Sequence, residues 1–224
     1  MVIKDREELQ RLKKLESLES TCYIKKDCVY KIFKPNIDIE ERINIINIFL
    51  NKKIDGCPEI YDLIYKDNKV IGYIMKYYSK LMQLKDIRNF NFLKQKLLEL
   101  IKLHLMLENK YSICYFDYSN NNVFHHHKSI LLLDVDSCIN KTEYNSEIAS
   151  NILIDFILSI IYKINYFDIK PYFTMEERKL IEDVIYTNYN GEKINSLANI
   201  VEFIKNISLQ DIKKQVKRIY FKFN

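Results

Sequence analysis

The spacing of apolar residues changes partway along this chain, and that change restricts its possible folds more than any single motif. Residues 21–33, TCYIKKDCVYKIF, hold two strand-type runs, CYIK and CVYKIF, around the turn-forming pair Lys26 and Asp27, which is a hairpin signal. Pro35 ends it. Over residues 37–51 the apolar positions Ile39, Ile43, Ile46 and Leu50 share one helical face, closed by Lys52, Lys53 and the turn sequence Asp55, Gly56, Cys57, Pro58. A second hairpin follows, IYDLIY and VIGYIMKYY, joined by the polar KDNK. Ahead of the first hairpin, Leu9, Leu12, Leu15 and Leu18 predict a short charged helix over residues 5–18. The period then becomes helical. Residues 90–109 place Phe92, Leu93, Lys96, Leu97, Leu100, Ile101, His104 and Leu107 on one side of a long helix. Two short β-type runs, SICYF and SILLLDV, interrupt this pattern. Helices return at residues 146–163, 174–188, 197–207 and 210–220. The expectation is an α+β protein: a small β-rich lobe over residues 1–80, then a mostly helical lobe over residues 81–224, with the boundary near Tyr77 to Lys85 and a cleft between them.

Composition closes off the alternatives. At 224 residues, 48% hydrophobic and 29% charged, the chain buries a sizeable core and needs no disulfide or zinc staple. Three Gly and three Pro leave no material for collagen, Pro-rich linkers or a Gly-rich phosphate loop, so any nucleotide site is built without glycines. A formal charge of +5 with mixed signs does not call for nucleic acid. The basic run Lys213, Lys214, Lys217, Arg218 and Lys222 reads as a solvated amphipathic surface. Five cysteines without a CxxC pair suit reduced thiols. The first residues, MVIKDREELQ, lack the apolar region of a secretory signal, and the most apolar stretch, residues 152–164, is broken by Asp155 and too short to span a bilayer. A soluble, cytoplasmic protein without a membrane partner is expected.

The chemistry concentrates in residues 115–137, YFDYSNNNVFHHHKSILLLDVDS. Asp117 and Asn122 fall on one loop, and the apolar LLL delivers Asp134 at the end of a short β excursion. Two carboxylates and an amide oxygen converging on one point are what a hard cation such as Mg²⁺ requires, with phosphate oxygens and water completing the shell. Each part also has a purely structural reading, because Asp and Asn are turn residues in their own right.

In this segment the chain resembles the protein kinase-like fold family. The family's catalytic loop is H-R-D-L-x-x-x-N and its metal loop D-F-G; here stand Tyr115, Phe116 and Asp117, Asn122 at the family's spacing, then Asp134, Val135 and Asp136. Lys31 in VYKIF resembles the family's strand lysine, and Glu40 and Glu41 on the following helix are candidates for the acidic residue that orients it. MKYY stands where the family has its interlobe hinge, and the Asp155 helix resembles the central helix whose acidic residue braces the catalytic loop. The resemblance covers about residues 21–163 and rests on order and spacing. It implies ATP and Mg²⁺: Lys31, oriented by Glu41 or Glu40, on the α/β-phosphates; Asn122 and Asp134 on the metal; and Asp117 as the residue that positions and deprotonates an acceptor hydroxyl.

Three departures set this chain apart. The Gly-rich loop is missing, and the equivalent turn near Leu18, Glu19, Ser20 and Thr21 would meet the phosphates with backbone N–H groups and the Ser20 and Thr21 hydroxyls. Asp136 stands where the metal loop has glycine, and Phe116 replaces the arginine before the catalytic aspartate. Between Asp134 and the helix expected from residue 146 there is little chain and no A-P-E sequence, so the peptide platform is cut down. The reading is a minimal, atypical, bacterial-type Ser/Thr kinase-like phosphotransferase acting on itself or a dedicated protein partner. The alternatives are a pseudokinase signalling through nucleotide or protein binding, and a small-molecule kinase, a group whose acidic acceptor-binding insertion this chain is too short and too basic to hold.

Other conspicuous residues have plainer readings. His125, His126 and His127 suit a surface hairpin turn better than a zinc site, since only two of them would share a strand face. His104 reads as a hydrogen-bonded core histidine, and Cys114 and Cys138 as small core residues. Tyr73, Tyr77 and Tyr78 could stack on an adenine, although aromatic residues in strands usually pack in cores.

Overall fold

Alternation in CVYKIF decides the orientation of the first sheet: Val29, Lys31 and Phe33 point inward and are buried, while their neighbours are half exposed. The computed structural model describes residues 13–163, 175–188 and 191–221. Strands β1 (Lys13–Glu16), β2 (Ser20–Lys25) and β3 (Cys28–Phe33) are followed by helix α1 (Ile39–Phe49), β4 (Ile60–Lys66) and β5 (Lys69–Lys76). The strands form one antiparallel sheet in the order β1-β2-β3-β5-β4. Both expected hairpins are present. Their turns use residues in the left-handed region, Lys26 at φ 53° in the first and Asp67 and Asn68 at φ 50° and 61° in the second, which matches the twist of the flanking strands.

The expected helix over residues 5–18 is corrected in its described part. Residues 13–16 are strand β1, paired with β2 from Lys13 opposite Ile24 to Glu16 opposite Thr21. Leu15 is 54% exposed and Leu18 91% exposed, so the leucine spacing finds no apolar face to cover. The open edge of β2 supplies ladder hydrogen bonds instead. Residues 5–12 lie outside the described residues.

Asp38 caps α1 by accepting the Glu40 N–H, and the helix buries Ile45, Ile46 and Phe49 against the sheet. Beyond the sheet, β6 (Met82–Gln83) and a 3₁₀ turn (Leu84–Asp86) lead into α2 (Phe90–Tyr111). Asn89 caps α2, whose inward stripe runs Leu93, Leu97, Leu100, His104 and Leu107. Next come β7 (Ile113–Cys114), the hairpin β8 (Val123–His126) and β9 (Ser129–Leu132), a 3₁₀ turn (Val135–Ser137) and β10 (Ile139–Asn140). SICYF is therefore mostly loop, with only its first part paired to β10. α3 (Glu143–Tyr162) starts three residues before the expected position because Thr142 caps it, accepting the Asn145 N–H. α4 (Met175–Ile185), α5 (Leu197–Asn206) and α6 (Leu209–Phe221) complete the helical lobe.

The two lobes share one continuous core. α3 contributes Leu153, Ile157 and Leu158, each at 0% exposure, and these meet α2 and α5 through residues such as Leu97, Leu100 and Ile204. Each such side chain contributes about 1.5–3 kcal/mol when fully buried. The helical lobe therefore holds the loop after β7 and the β8–β9 hairpin rigidly beneath the sheet.

Candidate active site

Lys31 occupies an inward sheet position that packing would normally give to an apolar residue, and it is 4% exposed. An ammonium taken out of water must be paired. The pairing groups come from across the cleft: Nζ lies 2.8 Å from Asp136 Oδ1 and 3.1 Å from Asp134 Oδ1. Burial alone would lower the Lys31 pKa, but the charges of Asp136 and Asp134 outweigh it and raise it. Lys31 is cationic at any physiological pH.

The expected orienting residues are different ones. Glu40 and Glu41 are solvent-exposed on the first turn of α1, and Lys31 pairs with neither. The reason is helical register. The inward seam of α1 is Arg42, Ile45, Ile46 and Phe49, and at its first position, beside Asp136, stands a cation. Arg42 Nη1 donates to Asp136 Oδ2 at 3.1 Å and Nη2 to Glu19 Oε2 at 2.8 Å. Tyr73, directly opposite Lys31 on β5, donates its hydroxyl to Asp136 Oδ1 at 2.6 Å. Tyr73 thus belongs to the lysine's surroundings. Asp136, 1% exposed, accepts from Lys31, Tyr73 and Arg42, and despite burial these partners hold its carboxyl below the ordinary range.

Asp117, Asn122 and Asp134 are brought together by a shared brace. The buried Tyr115 hydroxyl lies 2.8 Å from the Leu133 carbonyl oxygen and 3.1 Å from that of Asp117, its single proton shared between them, which ties the loop after β7 to the segment that carries Asp134. The Leu133 N–H donates to the Asn122 carbonyl at 2.7 Å, and Asn122 Nδ2 to the Asp117 carbonyl at 3.4 Å. Asp134 sits in the left-handed region at φ 53°, a turn that aims its carboxylate into the cleft, where 41% of the side chain is exposed. Partial desolvation and then the nearby Asp134 charge raise the Asp117 pKa, with the Asn122 hydrogen bond opposing them. Two carboxylates that repel one another beside an amide oxygen form a donor set suited to a hard divalent cation.

The remaining expectations fall elsewhere. Ser20 is 2% exposed and its hydroxyl lies 3.1 Å from that of Ser17, while Thr21 is half exposed on β2. Tyr77 and Tyr78 follow β5; Tyr78 accepts the Glu59 N–H and packs edge-on against His126. His125 to His127 form the β8–β9 hairpin and its turn, with His127 at φ 52°, and among the described residues no group of His, Cys, Asp or Glu could hold a metal as a cluster of three. His104 is a buried network residue: its Nδ1 lies 2.8 Å from the Tyr118 hydroxyl, next to Asp117, and its Nε2 is 3.2 Å from Glu108. Burial, with Glu108 second, pushes the Cys114 thiol up to about 11, and burial raises Cys138 as well, so neither is a nucleophile. Asp155 accepts the Tyr186 hydroxyl.

Asp136 and Arg42 carry no site role in the sequence reading, and Tyr73, a candidate there for stacking on an adenine, instead donates to Asp136. The one available signal was a second carboxylate at the glycine position of the metal loop.

Comparison with family models and with curated proteins finds no match to the sequence. Comparison with solved structures finds the kinase PK-1 of Cydia pomonella granulovirus: 15% sequence identity, a TM-score of 0.56, and coverage of 78% of this chain and 79% of that one. The chain has a protein kinase-like bilobal α+β fold. No described helix is long and apolar enough to cross a membrane.

Proposed function

We propose that this protein is an ATP- and Mg²⁺-dependent phosphotransferase that phosphorylates Ser/Thr hydroxyls on itself or on one dedicated protein partner. The observation that carries this reading is the convergence in one cleft of Lys31, Asp117, Asn122 and Asp134, tied together by Tyr115 and the Lys31–Asp134 pair at 3.1 Å. The residues divide the labour. Lys31 supplies positive charge to the α/β-phosphates. Asn122 and Asp134 would hold Mg²⁺, which supplies neutralisation of phosphate charge when bound. Asp117 orients the acceptor hydroxyl and takes its proton; a pKa raised from the ordinary carboxylate value suits a general base better than an unperturbed one.

A second reading has an observation behind it. The turn over the cleft, Ser17 to Glu19, has no glycine, and its tip, Leu18, is 91% exposed, which favours a pseudokinase that signals through nucleotide or protein binding without transfer. A two-part experiment separates the readings. ATP with Mg²⁺ at a hundredfold excess over its Kd should stabilise the fold by about 2.7 kcal/mol, a rise in Tm of about 5–10 °C for a chain of this size. Incubation with γ-labelled ATP should transfer label in the parent and not in Asp117→Asn, which keeps the thermal shift. A shift without transfer selects the nucleotide-binding pseudokinase, and no shift at millimolar nucleotide removes the phosphotransferase and leaves only a pseudokinase that acts through protein binding.

A further inference from the structure

We propose that Asp136 is the positioning residue for Lys31 and couples it to α1 through Arg42, taking over with reversed charge the part expected of an acidic residue on the helix. The inference deepens the phosphotransferase reading and rests on it for its functional half.

The two carboxylates that hold Lys31 are not equivalent. The Asp134 side chain is 41% exposed and that of Asp136 is 0% exposed. Asp134 faces the cleft and is free to engage a cation and leave the ammonium. Asp136 is held in place, because Tyr73 donates to the same Oδ1 as Lys31 at 2.6 Å and Arg42 to Oδ2 at 3.1 Å. A carboxylate fixed by three donors is a rigid post, and a flexible lysine tethered to it keeps its head in one place when its other partner turns away. The same post sits between β3 and α1. Arg42 lies over the Phe33 ring at 5.6 Å and continues to Glu19 in the turn above the cleft, so sheet, helix, turn and metal loop are joined through one buried charge. An acidic residue on the helix could only pair with the lysine; with Arg42 there instead, the negative charge has to come from the metal loop, and Asp136 occupies the position where the family has glycine.

The test is a pair of double-substitution cycles. In stability, Lys31→Met combined with Asp136→Asn should lower Tm by clearly less than the sum of the two single losses, whereas Lys31→Met with Glu40→Gln or Glu41→Gln should add up. This half needs no nucleotide, so it decides the anchoring even if the protein transfers no phosphate. In binding, Asp136→Asn should raise the Kd of a non-hydrolysable ATP analogue with Mg²⁺ about tenfold, and change it less than about twofold in the Lys31→Met background. A merely structural role would weaken binding equally in both. Should Asp136→Asn fail to fold, Tyr73→Phe removes one donor from the same carboxylate and should show the same background dependence at smaller amplitude. Additive stability losses, equal binding effects in both backgrounds, or coupling that appears at Glu40 or Glu41 would overturn the proposal. Failure of the analogue to bind the parent protein removes the phosphotransferase reading and leaves the stability cycle to decide the anchoring.

Discussion

Two buried or half-buried ionisable groups link the site to the solvent pH. Asp117 has its pKa raised by partial desolvation and by Asp134, so the native state binds more protons than the unfolded chain between the ordinary carboxylate pKa and the native one. Stability contributed there is present below that window and lost as pH rises through it. At neutral pH the ionised Asp117 is a destabilising group, and Asp117→Asn should melt at or slightly above the parent while losing phosphotransfer; a clearly lower Tm at pH 7 would contradict the repulsion. His104 runs the other way. Burial lowers its pKa, with Glu108 opposing and Lys141 adding to the lowering, so the imidazole is neutral in the fold. Stability is complete above the unfolded histidine value of about 6.5 and falls as pH drops below it. Tm measured from pH 7.5 to 5 should therefore decline more steeply in the parent than in His104→Gln; parallel curves would assign the decline to other groups. Lys31, Asp117, Asn122 and Asp134 could be named as candidates from the sequence because residue type, order and spacing survive without any contact being known, and the fold places them around one cleft. The partner of Lys31 was not, because knowing that neither Glu40 nor Glu41 turns toward it requires the rotational setting of α1, about 100° per residue, and Asp136 reaches it only through the fold.

At the level of elements, the pairing of β3 with β5 fixes the lysine more firmly than any loop does. Gly72 on β5 stands opposite Ile32, and a Cβ there would come within 2.1 Å of the Lys31 carbonyl oxygen and 3.0 Å of the Ile32 Cα. Both are backbone atoms of a central strand, so a methyl group forces the strands apart. Gly72→Ala should destabilise by about 1–3 kcal/mol or more, and should weaken nucleotide binding because it displaces the residue that carries the ammonium. Urea unfolding and analogue binding measure the two effects, and a parent-like midpoint would mean that the sheet relaxes around the methyl. Apolar β-type runs around the polar turns identified β2, β3, β4 and β5, although only β3 alternates cleanly between buried and half-buried residues. Periodicity failed at β1, whose residues are all exposed: a strand held only by its edge hydrogen bonds leaves no apolar signature, and the leucine spacing mimicked a helix. It failed again at the start of α3, where capping by Thr142 set the boundary ahead of the first buried residue.

For the molecule as a whole, the continuous core joining both lobes presents the cleft as a preformed site, and what surrounds that cleft limits the acceptor. After Asp134 the chain makes a 3₁₀ turn, pairs β10 with β7, and enters α3 at Glu143. Residues 135–142 are thus committed to internal structure, and the earlier start of α3 leaves even less chain than the sequence suggested. A free peptide would meet here only an open hollow lined by Lys141, Thr142, Glu143, Ser146, Glu147 and Ser150, and it would lose translational freedom for few contacts. An acceptor carried by the same molecule, or by a stably docked partner, meets the site at a high effective concentration that offsets weak local contacts. The turn above the cleft offers one such hydroxyl. Ser17 is exposed there, whereas Ser20 is buried, so Ser17 is the expected position if the turn is modified in cis. Label from γ-labelled ATP should then appear on the protein at a rate per molecule that does not change on tenfold dilution, map to a peptide containing Ser17, and vanish in Asp117→Asn. A rate that falls with dilution would point to transfer between molecules. Efficient turnover of short generic Ser/Thr peptides, with no label on the protein, would show that the short segment does build a peptide site and would overturn the cis preference.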